Sequence, residues 1–397
     1  MVCCLLIQPN GVSLMKIVIA PDSYKESLSA IEVAEAIEIG FKKVFPDWEY
    51  VKCPVADGGE GSVEALVEAS DGHFMQVEVV GPLGELHRAF YGISGDQKTA
   101  FIEMAAASGL ELIPVEQRNP YITTSYGTGQ LIEHALDLGI RHLIVCIGGS
   151  ATNDAGCGMM QAMGVSFQDH QGKELPYGGL ALEALQRIDV SGLDPRLSQC
   201  LIEVACDVTN PLTGTNGASY IYGPQKGASP EMVERLDAAL ANYAEVIERD
   251  MNIQVNDIPG SGAAGGMGAA FCAFLNAELR PGIDIMTQAL GLEALLQGAD
   301  LVITGEGRLD RQSVNGKVPV GVANIAKRYN LPVIAIAGAL ADDIDEVYSH
   351  GIDAAFATIY KITSFEEIIT QSKSNVIRSS FNIATALKLG QQLKEST

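Results

Sequence analysis

Short apolar strands that run into charged loops and then into helices occupy both ends of this chain, and this texture constrains its fold more than any other feature. Lys16–Ala20 reads as a buried parallel strand. Pro21-Asp-Ser-Tyr-Lys25 follows it, then a helix from about Ser29 with apolar Ile31, Ala34, Ile37 and Phe41 on one face. Tyr50–Val55 reads as a second strand, linked by Ala56-Asp-Gly-Gly-Glu-Gly61 to a helix over Val63–Ala69. The texture returns late, with strands at Leu301–Thr304, Pro332–Ala337 and Ala354–Ile359 and a helix over Val318–Tyr329. The late strands need neighbours, and the early units need a completed sheet. One discontinuous parallel-sheet domain of residues 15–73 and 284–397 meets both needs, with residues 74–283 inserted as a mixed α/β domain.

The inserted region differs in pattern. Alternation over Met75–Val80, His87–Ile93 and Thr99–Met104 predicts antiparallel strands. Beyond them the chain predicts a helix over Thr128–Leu138, strands at His142–Ile147 and Leu201–Cys206, and a long helix over Ser229–Asp250.

A length of 397 residues with 47% apolar content supports a large core and two domains. The net charge of −23 opposes nucleic acid and anionic membranes as partners, since a polyphosphate partner needs many Lys or Arg contacts to displace counterions. No apolar run reaches the roughly eighteen residues that span a bilayer. Eight cysteines without a C-x-x-C pair read as reduced thiols of a cytoplasmic protein, and six histidines show no zinc spacing. Residues 1–14 hold one short apolar patch, Val2–Ile7, without a basic leader or cleavage site. They read as a non-native or disordered extension ahead of the structured start at Met15. The sequence leaves a homo-oligomer open.

Ligands of open α/β sheets bind outside the carboxyl ends of the strands, so the loops there are where chemistry is expected. The richest is Thr304-Gly-Glu-Gly-Arg-Leu-Asp-Arg-Gln-Ser313, continuing to Gly316-Lys317. Its glycines let backbone amides approach a ligand, while Glu306, Arg308, Asp310 and Lys317 bring charge of both signs. That mixture suits an anionic substrate handled with a metal ion. Arg308 can grip a carboxylate or phosphoryl group through its fork, and Lys317 acts as a point charge. Asp22, Ser23 and Lys25 end the first strand, and Asp57, Gly58, Gly59 and Glu60 end the second. A simple turn at Asp22 or Ser23 and a solvated Lys25 are the plain alternatives.

Gly148-Gly-Ser-Ala-Thr-Asn-Asp-Ala-Gly156 follows a strand and carries Ser150, Thr152, Asn153 and Asp154. One of these groups suffices to cap a helix; four favour contact with a nucleotide or phosphate. Cys206-Asp-Val-Thr-Asn210 offers Asp207 and Asn210 as hard oxygen ligands for Mg²⁺, or an Asx turn before Pro211. Lys226, within Gly223-Pro-Gln-Lys-Gly227, is a cation between glycines, for phosphate or for solvent. Gly260-Ser-Gly-Ala-Ala-Gly265 matches G-x-G-x-x-G, yet Asn256-Asp-Ile-Pro259 stands where a dinucleotide fold places a strand. That leaves a packing turn or an anion site. No G-x-x-x-x-G-K-[ST], H-R-D or D-F-G occurs, which excludes a P-loop or protein-kinase motif.

Taken in order, Ala20-Pro-Asp-Ser-Tyr-Lys25, Ala56-Asp-Gly-Gly-Glu-Gly61, Ser125-Tyr-Gly-Thr-Gly129, Gly148-Gly-Ser-Ala-Thr-Asn-Asp154, Asp207-Val-Thr-Asn-Pro211, Gly223-Pro-Gln-Lys-Gly227 and Thr304-Gly-Glu-Gly-Arg308 resemble the bacterial type I glycerate kinases. Each motif alone is weak, but their joint occurrence from about Met15 to the C-terminal region is specific. The resemblance implies ATP-dependent phosphorylation of D-glycerate to 2-phosphoglycerate, in glyoxylate or sugar-acid catabolism. It also implies a flavodoxin-like α/β domain interrupted by a second α/β domain, with the site in the cleft between them.

Under this reading Lys25, Arg308 and Lys317 act in catalysis with Asp310 and Asp207, either of which can accept the hydroxyl proton. Asp22, Ser23, Asp57, Gly58, Gly59 and Glu306 face glycerate. Gly148, Gly149, Ser150, Thr152, Asn153, Asp154 and Lys226 face ATP, and Asp207 and Asn210 hold Mg²⁺. The competing readings are an NAD-linked sugar-acid dehydrogenase using the Gly260 loop, phosphorylation at the 3-hydroxyl, and a non-catalytic carboxylate-binding module.

Overall fold

The computed structural model describes residues 14–56, 58–59, 61–314 and 316–395. The extension expected over residues 1–14, apart from Leu14, therefore lies outside the described residues, as do Asp57 and Glu60. The chain divides into two compact units, Met1–Asp57 with Thr287–Thr397, and Gly58–Met286.

A five-stranded, wholly parallel sheet runs through the first unit. Its order is Ala354–Ala357, Val333–Ala337, Leu301–Gly305, Lys16–Pro21, Glu49–Lys52. Numbered along the chain this is 2-1-3-4-5, the flavodoxin-like order, and the winding reverses between Lys16–Pro21 and Leu301–Gly305. Side chains of a strand alternate between faces, and here both faces are buried. Ile17, Ile19, Ile303 and Ile336 join one core cluster, while Val18 and Val302, each 0% exposed, belong to the opposite face. The helix Ala30–Lys42 starts in a capping box, Ser29 and Glu32 each accepting the other's backbone N–H. The C-terminal helix Phe365–Glu395, which sequence pattern did not mark, packs along it by burying Val376, Ile383 and Ala384.

Two hydrogen bonds tie the ends of the central strands together. Thr304 Oγ1 donates to the Ala20 carbonyl at 2.8 Å, and the Asp22 N–H donates to the Gly305 carbonyl at 2.8 Å. A Cβ on Gly305 would lie 1.9 Å from the Ile336 carbonyl oxygen, so the close approach of these strands demands glycine there.

The second unit is built on a six-stranded mixed sheet, ordered Glu278–Arg280, Leu201–Ala205, His142–Cys146, Thr99–Glu103, Leu86–Ile93, His73–Val80. The first four strands are parallel, and the Leu86–Ile93 strand runs antiparallel to both of its neighbours. Thr99–Glu103, expected as one more antiparallel strand, is thus the change-over, antiparallel to one neighbour and parallel to the other. Ser229 caps the helix Pro230–Met251 through a bond from the Met232 N–H.

The helix Ser62–Ala69, expected in the first domain, packs instead on Leu86–Ile93 and Thr99–Glu103. The Val63 N–H donates to the Glu103 carboxylate at 3.1 Å, and Val63, Leu66 and Val67 are buried. The division therefore falls at 57/58 and not at 73/74. A helix belongs with whatever covers its apolar face, and spacing along the chain does not report that.

Candidate active site

In the first unit, the loops expected to carry chemistry follow the two strands at which the winding reverses. Glu306, 6% exposed, lies at the centre of the second loop. Ser313 Oγ donates to Glu306 Oε1 at 2.5 Å, and Lys317 Nζ reaches Glu306 Oε2 at 3.3 Å and Asp310 Oδ1 at 3.8 Å. Arg308 Nε lies 3.7 Å from Asp310 Oδ2 and is otherwise exposed. The Asp310 carboxylate also accepts the Gln312 N–H at 2.9 Å, while the Asp310 N–H donates to Ser313 Oγ at 3.2 Å. Burial pushes the Glu306 carboxyl above its ordinary range, against the opposing pull of Ser313 and Lys317. Lys317 occupies the N-cap of the helix Val318–Arg328, where the helix dipole disfavours a cation. Glu306 and Asp310 offset that penalty, and the ammonium is held poised at the loop.

The first loop lies alongside. The Asp22 carboxylate accepts the Ser23 N–H at 2.6 Å, and the backbone of Gly307 lies against Tyr24 and Lys25. Tyr24 is buried and donates from its hydroxyl to the Ile336 carbonyl at 2.7 Å. Burial, then the nearby Glu306 charge, raises the tyrosine far above its ordinary range, so it stays protonated. Asp22, Ser23, Lys25, Glu306, Arg308, Asp310 and Lys317 thus share one end of one sheet. Ser313 and Tyr24 were not singled out from sequence. Ser313 joins Glu306 to Asp310 only because the 3₁₀ turn Arg311–Val314 folds back.

In the second unit, Gly58, Gly148, Asp207 and Gly282 gather at the carboxyl ends of the parallel strands. Asp207 is exposed, and its Oδ1 accepts the Gly282 N–H at 2.8 Å. Gly58 packs on Ala205 and Gly282, and Gly148 faces the Gly58 carbonyl. Gly148 and Gly149 are exposed, but the rest of their loop turns inward. Ser150 is 6% exposed, Thr152 and Asn153 0% and Asp154 1%. Asp154 Oδ2 accepts the Ser125 N–H at 2.9 Å, the Ser125 hydroxyl at 2.8 Å and the Gly158 N–H at 3.3 Å. The Asn153 amide donates to Ser219 Oγ at 3.0 Å.

A model of the glycerate kinase family matches residues 17–388. The chain belongs to the glycerate kinase family. It is 59% identical over 378 residues to the glycerate 2-kinase of Escherichia coli (strain K12), covering 95% of this chain and 99% of that one. The glycerate kinase of Bacillus subtilis (strain 168) is 53% identical over 379 residues, covering 96% and 99%. A crystal structure assigned to glycerate kinase 2 from Salmonella typhimurium LT2 superposes with a TM-score of 0.89 at 61% identity, covering 96% of this chain and 100% of that one. This glycerate kinase family member is therefore an ATP-dependent kinase.

Several expected contacts change once the family member's side chains are placed. Lys226, expected as a flexible cation reaching a phosphate, is 1% exposed, and its Nζ donates to Ser150 Oγ at 2.7 Å and to the Thr152 carbonyl at 2.6 Å. Asn210, expected as a metal ligand, accepts the Tyr222 hydroxyl at 2.7 Å and donates to the Asn216 carbonyl at 2.8 Å, so its amide is a structural clasp. The Gly260-x-Gly segment is a packing turn: Gly265 has φ +67, and a Cβ there would lie 2.0 Å from the Thr152 carbonyl oxygen. Among the described residues no group of three or more His, Cys, Asp and Glu could hold a metal ion. Mg²⁺ commonly takes one or two carboxylates together with substrate phosphates, and Asp207 fits that part.

Burial pulls the Lys226 ammonium from 10.5 down to about 7, with Asp154 opposing. Between those values the unfolded chain holds a proton that the folded chain lacks, so stability rises with pH through that window. A shift of this size corresponds to about 5 kcal/mol. In urea titrations between about pH 7 and 9, wild-type stability should climb relative to Lys226→Met. Parallel profiles for the two proteins would show that Lys226 is not buried in this way.

Proposed function

We propose that the protein transfers the γ-phosphoryl group of ATP to the 2-hydroxyl of D-glycerate, giving 2-phosphoglycerate and ADP. The observation that carries this reading is the match to the glycerate kinase family across residues 17–388, with relatives named for this activity. We divide the labour between the two units. Phosphoryl transfer runs through a loose transition state, so the protein acts mainly by positioning and charge. Strand-end loops of the first unit take glycerate, whose carboxylate suits the exposed guanidinium of Arg308 and the ammonium groups of Lys25 and Lys317. Asp22, Ser23 and Glu306 flank the bound glycerate in this scheme.

We assign the proton-accepting role to Asp310 and not to Glu306. Both oxygens of Glu306 are engaged, by Ser313 and Lys317, whereas Asp310 accepts the Gln312 N–H on Oδ1 and its Oδ2 meets only Arg308, at 3.7 Å, among the described contacts. Glu306 then orients Lys317. In the second unit the backbone of Gly148 and Gly149 takes the nucleotide phosphates, and Asp207 holds Mg²⁺, which neutralises phosphate charge when bound. We place the reaction in the cytoplasm, on a discontinuous flavodoxin-like domain carrying an inserted α/β domain. The free thiols of Cys53, Cys146, Cys157, Cys200, Cys206 and Cys272 support that compartment.

Proton-coupled phosphorus NMR of a mixture of D-glycerate, Mg²⁺ and ATP tests the reaction. A monoester doublet, split by the single proton at C2, is the expected product. A triplet marks transfer to the 3-hydroxyl, and NADH formation from NAD⁺ without any monoester would overturn the kinase reading.

A further inference from the structure

A fully buried lysine is costly to keep in a folded chain, and Lys226 takes no part in the scheme above. We propose that Lys226 is a positioning residue that holds the Gly148–Thr152 loop in the shape that presents Gly148 and Gly149 to a nucleotide phosphate. The inference rests on the reading of that loop as the phosphate contact. The lysine arrives on the short 3₁₀ turn Pro224–Lys226, and its Nζ grips the loop twice, at Ser150 Oγ and at the Thr152 carbonyl.

Other donors complete the pattern. The Leu110 N–H takes the Gly149 carbonyl at 2.8 Å, Thr123 Oγ1 takes the Ala151 carbonyl at 2.9 Å, and the Ala151 N–H is fixed on the Ser108 carbonyl at 2.9 Å. The carbonyls of Gly149, Ala151 and Thr152 are thereby all committed to donors within the unit. A carbonyl oxygen facing a phosphate repels it, so tying these acceptors down leaves the exposed glycine backbone able to offer N–H groups to an anion. Lys226 supplies the hydrogen bond at the far end of this run, and no other donor reaches the Thr152 carbonyl among the described hydrogen bonds.

The test compares Lys226→Met, Ser150→Ala and the double variant by steady-state kinetics and by calorimetric titration with MgADP. Circular dichroism and thermal melting serve as folding controls. Lys226→Met should raise KM for MgATP about tenfold or more, the range expected for a lost hydrogen bond from a buried group, and leave KM for D-glycerate within about twofold. Ser150→Ala should raise KM for MgATP about threefold, and the double variant should be no worse than Lys226→Met, because both act through one loop. A lysine that merely supports the fold would lower Tm and leave nucleotide affinity alone.

Either folded variant with unchanged MgATP and MgADP affinity overturns the proposal. If Lys226→Met does not fold, Ser150→Ala decides. Failure of the proposed reaction is distinguishable: wild type would then show no phosphoryl transfer to glycerate, while MgADP affinity would still fall in the variants.

Discussion

In a Lys317→Met variant, kcat/KM for D-glycerate should fall about 100-fold or more, the size of effect seen when one preorganised charge stabiliser is removed. Lys317 is only one-third exposed, and its ammonium lies 3.3 Å from Glu306 and 3.8 Å from Asp310. Methionine fills the same space without the charge. Two changes then occur together. The transferring phosphoryl group or the substrate carboxylate loses a cation, and Glu306, already pushed up by burial, loses one of the two partners that hold its proton affinity down. The acid limb of the pH–rate profile should accordingly move to higher pH. Lys317→Arg should recover only part of the activity, because a planar fork does not reproduce a point charge seated between two carboxylates. A folded Lys317→Met enzyme with kcat/KM within about threefold of wild type would remove Lys317 from the catalytic machinery.

Asp207→Asn should lower kcat about 100-fold at moderate Mg²⁺ and raise the Mg²⁺ needed for half-maximal rate about tenfold. Asparagine still offers an oxygen to the Gly282 N–H while losing the charge that a hard divalent ion requires. Asp310→Asn, by contrast, should lower kcat and leave the Mg²⁺ requirement unchanged, as expected for a group that accepts the hydroxyl proton. Near-normal turnover in both variants, checked for folding, would overturn the metal and base assignments together. A raised Mg²⁺ requirement in Asp310→Asn and none in Asp207→Asn would exchange their roles.

Element types were legible from sequence wherever the signal was local. The helix starts near Ser29 and Ser229, and the apolar runs at Lys16–Pro21, Leu301–Gly305 and Val333–Ala337, each depend on residues within a few positions of one another. The C-terminal helix Phe365–Glu395 escaped notice because its buried stripe is sparse and is covered mainly by a distant helix, Ala30–Lys42. At the site, Glu306, Asp310 and Lys317 could be nominated because charge of both signs in a glycine-rich strand end is unusual. The hub at Ser313 could not, because a serine reads the same whether its hydroxyl meets water or a buried carboxylate.

Sequence by itself determined the strands and helices that carry a strong local pattern, the loops that end the strands, and the motif set that marks the family. These depend on backbone propensity, periodicity and residue identity, all of which act over short stretches of chain. Tertiary structure alone decided that Lys16–Pro21 pairs with Leu301–Gly305, that the helix Ser62–Ala69 lies on the second sheet, that Asn210 is a clasp, and that Lys226 points inward. Each of these is fixed by burial and hydrogen bonding between residues far apart in the chain. Whether a polar side chain becomes a ligand or a support depends on which of its partners is already occupied, and only the folded arrangement sets that.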